Sequence, residues 1–137
     1  MISTRGRYAI RVMLDVAANQ GDGYVPMKDV AERQGLSLKY LEQILPALTK
    51  ERLIEGIQGK GGGYRLTRKP EDYRIGDILR TTEKDLAPVS CLAAGAAECE
   101  RRGVCKTIGF WEGLNSVINE YIDSKTLADL MQEGQQS

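Results

Sequence analysis

Three cysteines, Cys91, Cys99 and Cys105, fall within fifteen residues, with seven residues between the first two and five between the second pair. Thiolates are the usual ligands of iron–sulfur clusters and of structural zinc. The intervening stretch holds Gly95 and Gly103, as a loop wrapped round an inorganic cluster requires. Structural zinc sites usually bring their ligands in pairs two to four residues apart, and no such pair is present. The same thiols could instead form a redox switch. A second group is basic and glycine-rich: Gly59-Lys60-Gly61-Gly62-Gly63, followed by Arg65, Arg68 and Lys69. Glycines let a backbone approach a surface closely, and amide N–H groups beside a lysine suit phosphates. Nucleotide-binding loops are excluded by spacing. Tyr64 stands where a dinucleotide fingerprint needs its third glycine, and Gly61 stands where a phosphate loop needs Ser or Thr.

Histidine is absent from all 137 residues. That removes Ser–His–Asp and Cys–His triads, His-ligated metals and the usual general base near neutrality, so an enzyme is not expected. The chain has 19 Lys or Arg and 19 Asp or Glu, a net charge of zero. The balance hides an asymmetry. Residues 1–69 carry 12 basic against 7 acidic side chains, and residues 70–137 carry 7 against 12. A basic half points to a polyanion partner. The N-terminus, interrupted by Arg5, Arg7 and Arg11, does not resemble a secretory signal. The longest uncharged run, Leu86–Ala97, is too short to span a bilayer and contains Pro88. A cytoplasmic protein without membrane contact is expected, with cysteines reduced or metal-bound rather than paired in structural disulfides.

The elements that must position these groups follow from periodicity. Tyr8, Ala9, Val12, Met13 and Val16 predict a helix over 4–18. A short helix over 27–34 leads through Gly35 to Ser37, a good N-cap. A second helix over 38–51 has Leu38, Leu41, Ile44, Leu45 and Leu48 on one face and Lys39, Tyr40, Glu42, Gln43 and Lys50 on the other. This pair predicts a helix-turn-helix. The residues from Leu53 to Thr67 predict a β-hairpin with the glycine run at its tip, which makes the unit a winged helix. A short helix over 75–82, a loop over 86–105, a long helix over 106–121 and a last helix over 127–133 complete the chain. Ile108, Trp111, Leu114, Ile118 and Ile122, joined by Phe110, Val117 and Tyr121, make the long helix apolar round much of its circumference. Such a helix is either buried in the core or paired with a second subunit. The expected fold is mainly α with a small β-hairpin. It has a winged helix-turn-helix domain over 1–82, a cysteine-containing loop over 83–105, and a dimerisation helix with a short C-terminal helix over 106–137.

The segments GRYAIRVMLDVA, MKDVAERQGLSLKYLEQIL and GKGGGYRL, with the three-cysteine loop followed by Trp111, resemble the IscR-type winged-helix regulators. That superfamily includes the nitric-oxide sensor NsrR and the cysteine-metabolism regulator CymR. The resemblance covers essentially the whole chain. It implies a homodimeric bacterial transcription regulator of a double-stranded DNA operator, sensing iron–sulfur status, or redox or nitric-oxide stress. It places Ser37, Lys39, Tyr40, Glu42 and Gln43 at the start of the recognition helix and Gln58 and Lys60 in the wing. Glu42 would discriminate between sites, because a carboxylate repels phosphate and can accept a hydrogen bond from cytosine. Cys91, Cys99 and Cys105 match the ligands of an iron–sulfur cluster, [2Fe-2S] or [4Fe-4S]. Two departures stand out. Ile108 occupies the position of the cluster regulator's histidine, and Arg7 that of an aspartate ligand of the nitric-oxide sensors. Ser90, Glu98, Glu100 and Thr107 are the nearby oxygen donors. The alternative is a cluster-free regulator of the same fold, using a thiol or disulfide switch or zinc, for example over cysteine or sulfur metabolism.

Overall fold

The computed structural model describes residues 2–89, 92 and 106–135. Helix α1 spans Thr4–Asn19 and buries Ala9, Val12, Met13 and Val16 of the predicted stripe, with Tyr8 half-buried. Helix α2, Met27–Gln34, ends at Gly35, whose φ of 66° is left-handed and favours glycine. Helix α3, Leu38–Lys50, buries Leu41, Ile44, Leu45 and Leu48. Leu38, expected on the same face, is 41% exposed. As the first helical residue it leans back toward the N-terminus, beyond the packed turns. Pro46 lies inside α3 on its exposed side and has no N–H to offer the Glu42 carbonyl one turn earlier.

Strands β1, Ile54–Ile57, and β2, Gly63–Leu66, pair antiparallel, with Ile54 opposite Leu66 and Ile57 opposite Gly63. The other edge of β2 is held by Val25, which exchanges backbone hydrogen bonds with Tyr64 at 2.8 and 2.9 Å. A methyl at Gly63 would strike the Val25 carbonyl, so the close approach requires glycine there. Tyr73 anchors the hairpin's base. Its ring is fully buried, its hydroxyl donates to the Leu53 carbonyl at 2.7 Å, and it accepts from the amides of Thr67 and Arg68.

Helix α4, Ile75–Thr82, packs on α1 and α3. Helix α5, Ile108–Ser124, runs beside α4, and helix α6, Leu127–Gln135, returns to the winged body. Leu127 is fully buried in the same core as Val12 and Tyr73, and its amide donates to the Tyr73 carbonyl at 2.9 Å. Helix α6 starts with a reciprocal cap. Thr126 N donates to Asp129 Oδ2 at 2.9 Å and Asp129 N to Thr126 Oγ1 at 3.1 Å. The Thr126 amide, with its hydroxyl beside it, holds the Asp129 carboxyl below the usual carboxylate range.

Ile122 is the one buried side chain of α5. Phe110, Val117 and Tyr121 are 67%, 60% and 63% exposed, and Leu114 lies at the edge of exposure. Helix α5 is therefore not a core helix of this chain. Arg80 on α4 ties its C-terminal end down, reaching both oxygens of Asp123 at 2.7 and 3.0 Å and Asn119 Oδ1 at 2.8 Å. That bidentate guanidinium pushes the Asp123 carboxyl below its ordinary value. Among the described residues no helix is long and apolar enough to cross a membrane.

Candidate nucleic-acid interface

Helix α3 begins at an exposed cap. Ser37 Oγ accepts from the Tyr40 amide at 3.1 Å, satisfying one of the helix's orphan donors. Lys39, Glu42 and Gln43 are exposed on the face opposite the core, and Tyr40 is half-buried. The exposed face thus offers an ammonium group, a carboxylate and an amide within two turns, while the apolar face is fixed beneath. An amphipathic helix of this kind can lie in a major groove and present donors and acceptors to base edges.

Three residues, 51–53, separate α3 from β1. Arg52 carries a φ of 56°, a conformation that favours glycine, and closes the helix with its amide on the Thr49 carbonyl. Thr67 Oγ1 donates to the Arg52 carbonyl at 2.7 Å, bracing the strained link from the far strand. At the tip of the hairpin Gly59 and Gly61 have φ of 95° and 77°, and Gly62 N donates to the Gly59 carbonyl at 2.9 Å. Gln58 and Lys60 are exposed on this turn. Arg65 is turned to another task. It pairs with Glu55 across the hairpin at 2.6 Å and lies 4.6 Å from the Tyr24 ring centre. The contact with the Glu55 carboxylate keeps its guanidinium pKa above the ordinary value.

Asp15, Arg33 and Gln34, which the spacing of the sequence did not single out, hold α2 on α1. Asp15, buried on α1, accepts from Arg33 Nε at 3.1 Å and Nη2 at 2.7 Å, and from Gln34 Nε2 at 2.9 Å. The carboxylate raises the Arg33 pKa. Arg11 donates from Nε to Gln34 Oε1 at 3.1 Å and also reaches the Gln34 carbonyl. Its guanidinium lies 5.2 Å from the Tyr8 ring centre, and Tyr8 meets Tyr40 edge-on at 5.5 Å. A carboxylate at Asp15, between Leu14 and Val16 on an otherwise apolar stretch, was the available signal: a buried charge needs partners.

Cys91, Cys99 and Cys105 lie outside the described residues, as do Ser90, Glu98 and Glu100 and most of the expected loop over 86–105. Thr107 is described, at the start of α5. Among the described residues there is no group of three or more His, Cys, Asp or Glu able to hold a metal ion.

The chain is 38% identical over 132 residues to the HTH-type transcriptional regulator IscR of Photobacterium profundum, covering 96% of this chain and 76% of that protein. It is 38% identical over 130 residues to IscR of Aliivibrio salmonicida, covering 95% and 76%. Among solved structures, CymR, the global cysteine regulator of B. subtilis, matches with a TM-score of 0.82 and 33% identity over 97% of both chains. IscR of T. potens matches with a TM-score of 0.77 and 36% identity, over 98% of this chain and 88% of that one. These relatives are transcription regulators with a winged helix, not enzymes. Residues 2–133 match the Rrf2 family, described as iron-dependent transcriptional regulator, and the chain belongs to that family of DNA-binding regulators.

Proposed function

We propose that this regulator binds its operator as a homodimer and reports iron–sulfur status, or redox or nitric-oxide stress, through a cluster held by Cys91, Cys99 and Cys105. The observation that carries the DNA-reading part is the exposed polar face of α3 opposite the buried Leu41, Ile44, Leu45 and Leu48. In this reading Lys39, Tyr40 and Gln43 meet phosphates and base edges, with Ser37 at the cap. Glu42 accepts from a cytosine amino group and turns away sites that put phosphate against it. Gln58 and Lys60 follow the backbone from the wing, where a lysine on a glycine turn suits a phosphate.

Pairing is supported by α5. Phe110, Leu114, Val117 and Tyr121 recur at intervals of four, three and four, the spacing of a coiled-coil seam, and face solvent in the protomer. Two copies paired along that seam would place two recognition helices on two half-sites.

The donor set supports a cluster: three thiols in one short segment of a chain akin to IscR proteins. A bound cluster would supply reactivity toward oxidants and nitric oxide. The chain's part is to hold it with three thiolates and leave one coordination position to another donor, Thr107 being one candidate. The second reading, a cluster-free thiol switch or zinc site, is favoured by the high structural similarity to a cysteine regulator. Anaerobic purification separates the two. Iron, acid-labile sulfide and visible charge-transfer absorption are expected. A protein with none of these, and with three titratable thiols, would transfer the assignment to the thiol reading.

A further inference from the structure

Glu83 directly follows α4, eight residues before Cys91. Its Oε1 accepts from the Ser3 amide at 2.6 Å, the Ser3 hydroxyl at 2.8 Å and the Gly6 amide at 3.1 Å. The first turn of α1 carries no acidic residue, and the Ser3 hydroxyl does not cap its own helix. The orphan amides and positive end of α1 are thus served by a carboxylate from the segment that leads to the cysteines. Gly6 is buried, and a methyl there would strike the Glu83 carboxylate. The glycine is the seat into which that carboxylate fits.

Further along the same helix, Tyr8 touches Tyr40 and Arg11 holds Gln34. The capped end and the contacts to α2 and α3 are at most about two turns apart on a single helix. A displacement of the α1 start therefore moves the groups that seat α2 and α3 on it.

We propose that Glu83 is the positioning residue through which the cysteine segment acts on the recognition helix. With the carboxylate seated on Ser3 and Gly6, α1 holds Tyr40 and Gln34 in the DNA-reading pose. With it withdrawn, α1 is uncapped and that pose is lost. The proposal rests on the reading of the cysteines as the sensor. It supplies the two-state element that any coupling between two sites needs.

The test uses the full chain and two probes: a duplex selected from a random pool by the wild-type protein, and a scrambled duplex of equal length. Glu83→Ala is expected to lower the preference for the selected duplex about tenfold. Glu83→Gln, which keeps an acceptor at Oε1, retains most of it. Gly6→Ala, which displaces the carboxylate with Glu83 still present, reproduces the loss. Variants that lower the thermal midpoint and leave the preference unchanged would make Glu83 merely structural and overturn the proposal. Coupling is read from a cycle in which Cys91→Ser, Cys99→Ser and Cys105→Ser are combined, with and without Glu83→Ala. If Glu83 carries the signal, the cysteine changes alter the preference in the wild-type background and do nothing further in Glu83→Ala. Independent, additive losses would overturn the coupling and leave the sensor reading standing. Cysteine changes without effect in either background would remove both. Should Glu83→Ala not fold, Ser3→Ala replaces it in the cycle, with a smaller expected loss, about threefold.

Discussion

Helices α3 and α5 are both amphipathic, and they solve opposite problems. In α3 the apolar face is buried by its own chain and the polar face is offered outward. In α5 only Ile122 is buried, and Phe110, Val117 and Tyr121 are offered outward. One exposed face is chemistry for a wet, charged groove and the other is chemistry for a dry contact. A helix's role is therefore told less by its periodicity than by which of its faces the rest of the chain leaves uncovered.

This contrast can be broken most directly at Val117. Val117→Glu puts a charge into the proposed seam and is expected to leave a folded monomer in sedimentation. Affinity for a two-half-site duplex should then fall about 100-fold, since two linked binding events become one. A dimer of undiminished affinity would mean that α5 faces something else. Leu48→Ala, on the covered face of α3, tests the converse. It should lower stability by about 3 kcal/mol in urea titration, with the subunits still associated in the folded fraction. Next come two exposed groups of the proposed DNA-facing side. Glu42→Ala should relax discrimination among duplexes by about 2 kcal/mol without abolishing binding. Lys60→Ala should weaken binding to all duplexes alike and reduce the salt slope by about one unit. Equal losses on all sequences for Glu42→Ala, or an unchanged slope for Lys60→Ala, would reverse those roles.

The smallest expected effect concerns how α5 is tied to α4. Arg80 lowers the folded-state pKa of Asp123, so the pair's contribution is present above the ordinary carboxylate pKa. It is lost as pH falls through the depressed folded value. Both side chains are partly exposed, which limits the contribution to about 0.5 kcal/mol. Asp123→Asn should remove this part of the acid sensitivity in thermal melts between neutral and strongly acidic pH.

Much of this was legible in the sequence, for physical reasons. The Gly35 turn, the Ser37 cap and the leucine spacing of α3 are local signals, and the elements they predict are present. So is the Thr126–Asp129 cap. Pro26 precedes α2 and is a local signal, but the bridge from Val25 to Tyr64 joins residues far apart in the chain and leaves no periodic trace. The Asp15–Arg33–Gln34 clamp is tertiary in the same way. Leu38 misled because periodicity continues to the helix end whereas the covering body does not. The apolar girth of α5 was visible, but sequence could not say which of its residues the protomer leaves bare. The placement of α4 against α5 decides that.

The burial of Leu127 against Val12 and Tyr73 has a consequence for synthesis. The amide of Leu127 is also the donor for the Tyr73 carbonyl, and the Tyr73 hydroxyl holds the base of the wing. The winged-helix half precedes Leu127 in the chain, yet its interior is not complete until that residue arrives. Domains generally fold as units, and contacts of such long sequence separation form late. A nascent or prematurely terminated chain would therefore carry the recognition helix without a finished body to aim it. Competence for DNA is then tied to translation having passed the cysteines and α5, so a product truncated before Leu127 would be a poor competitor for the operator.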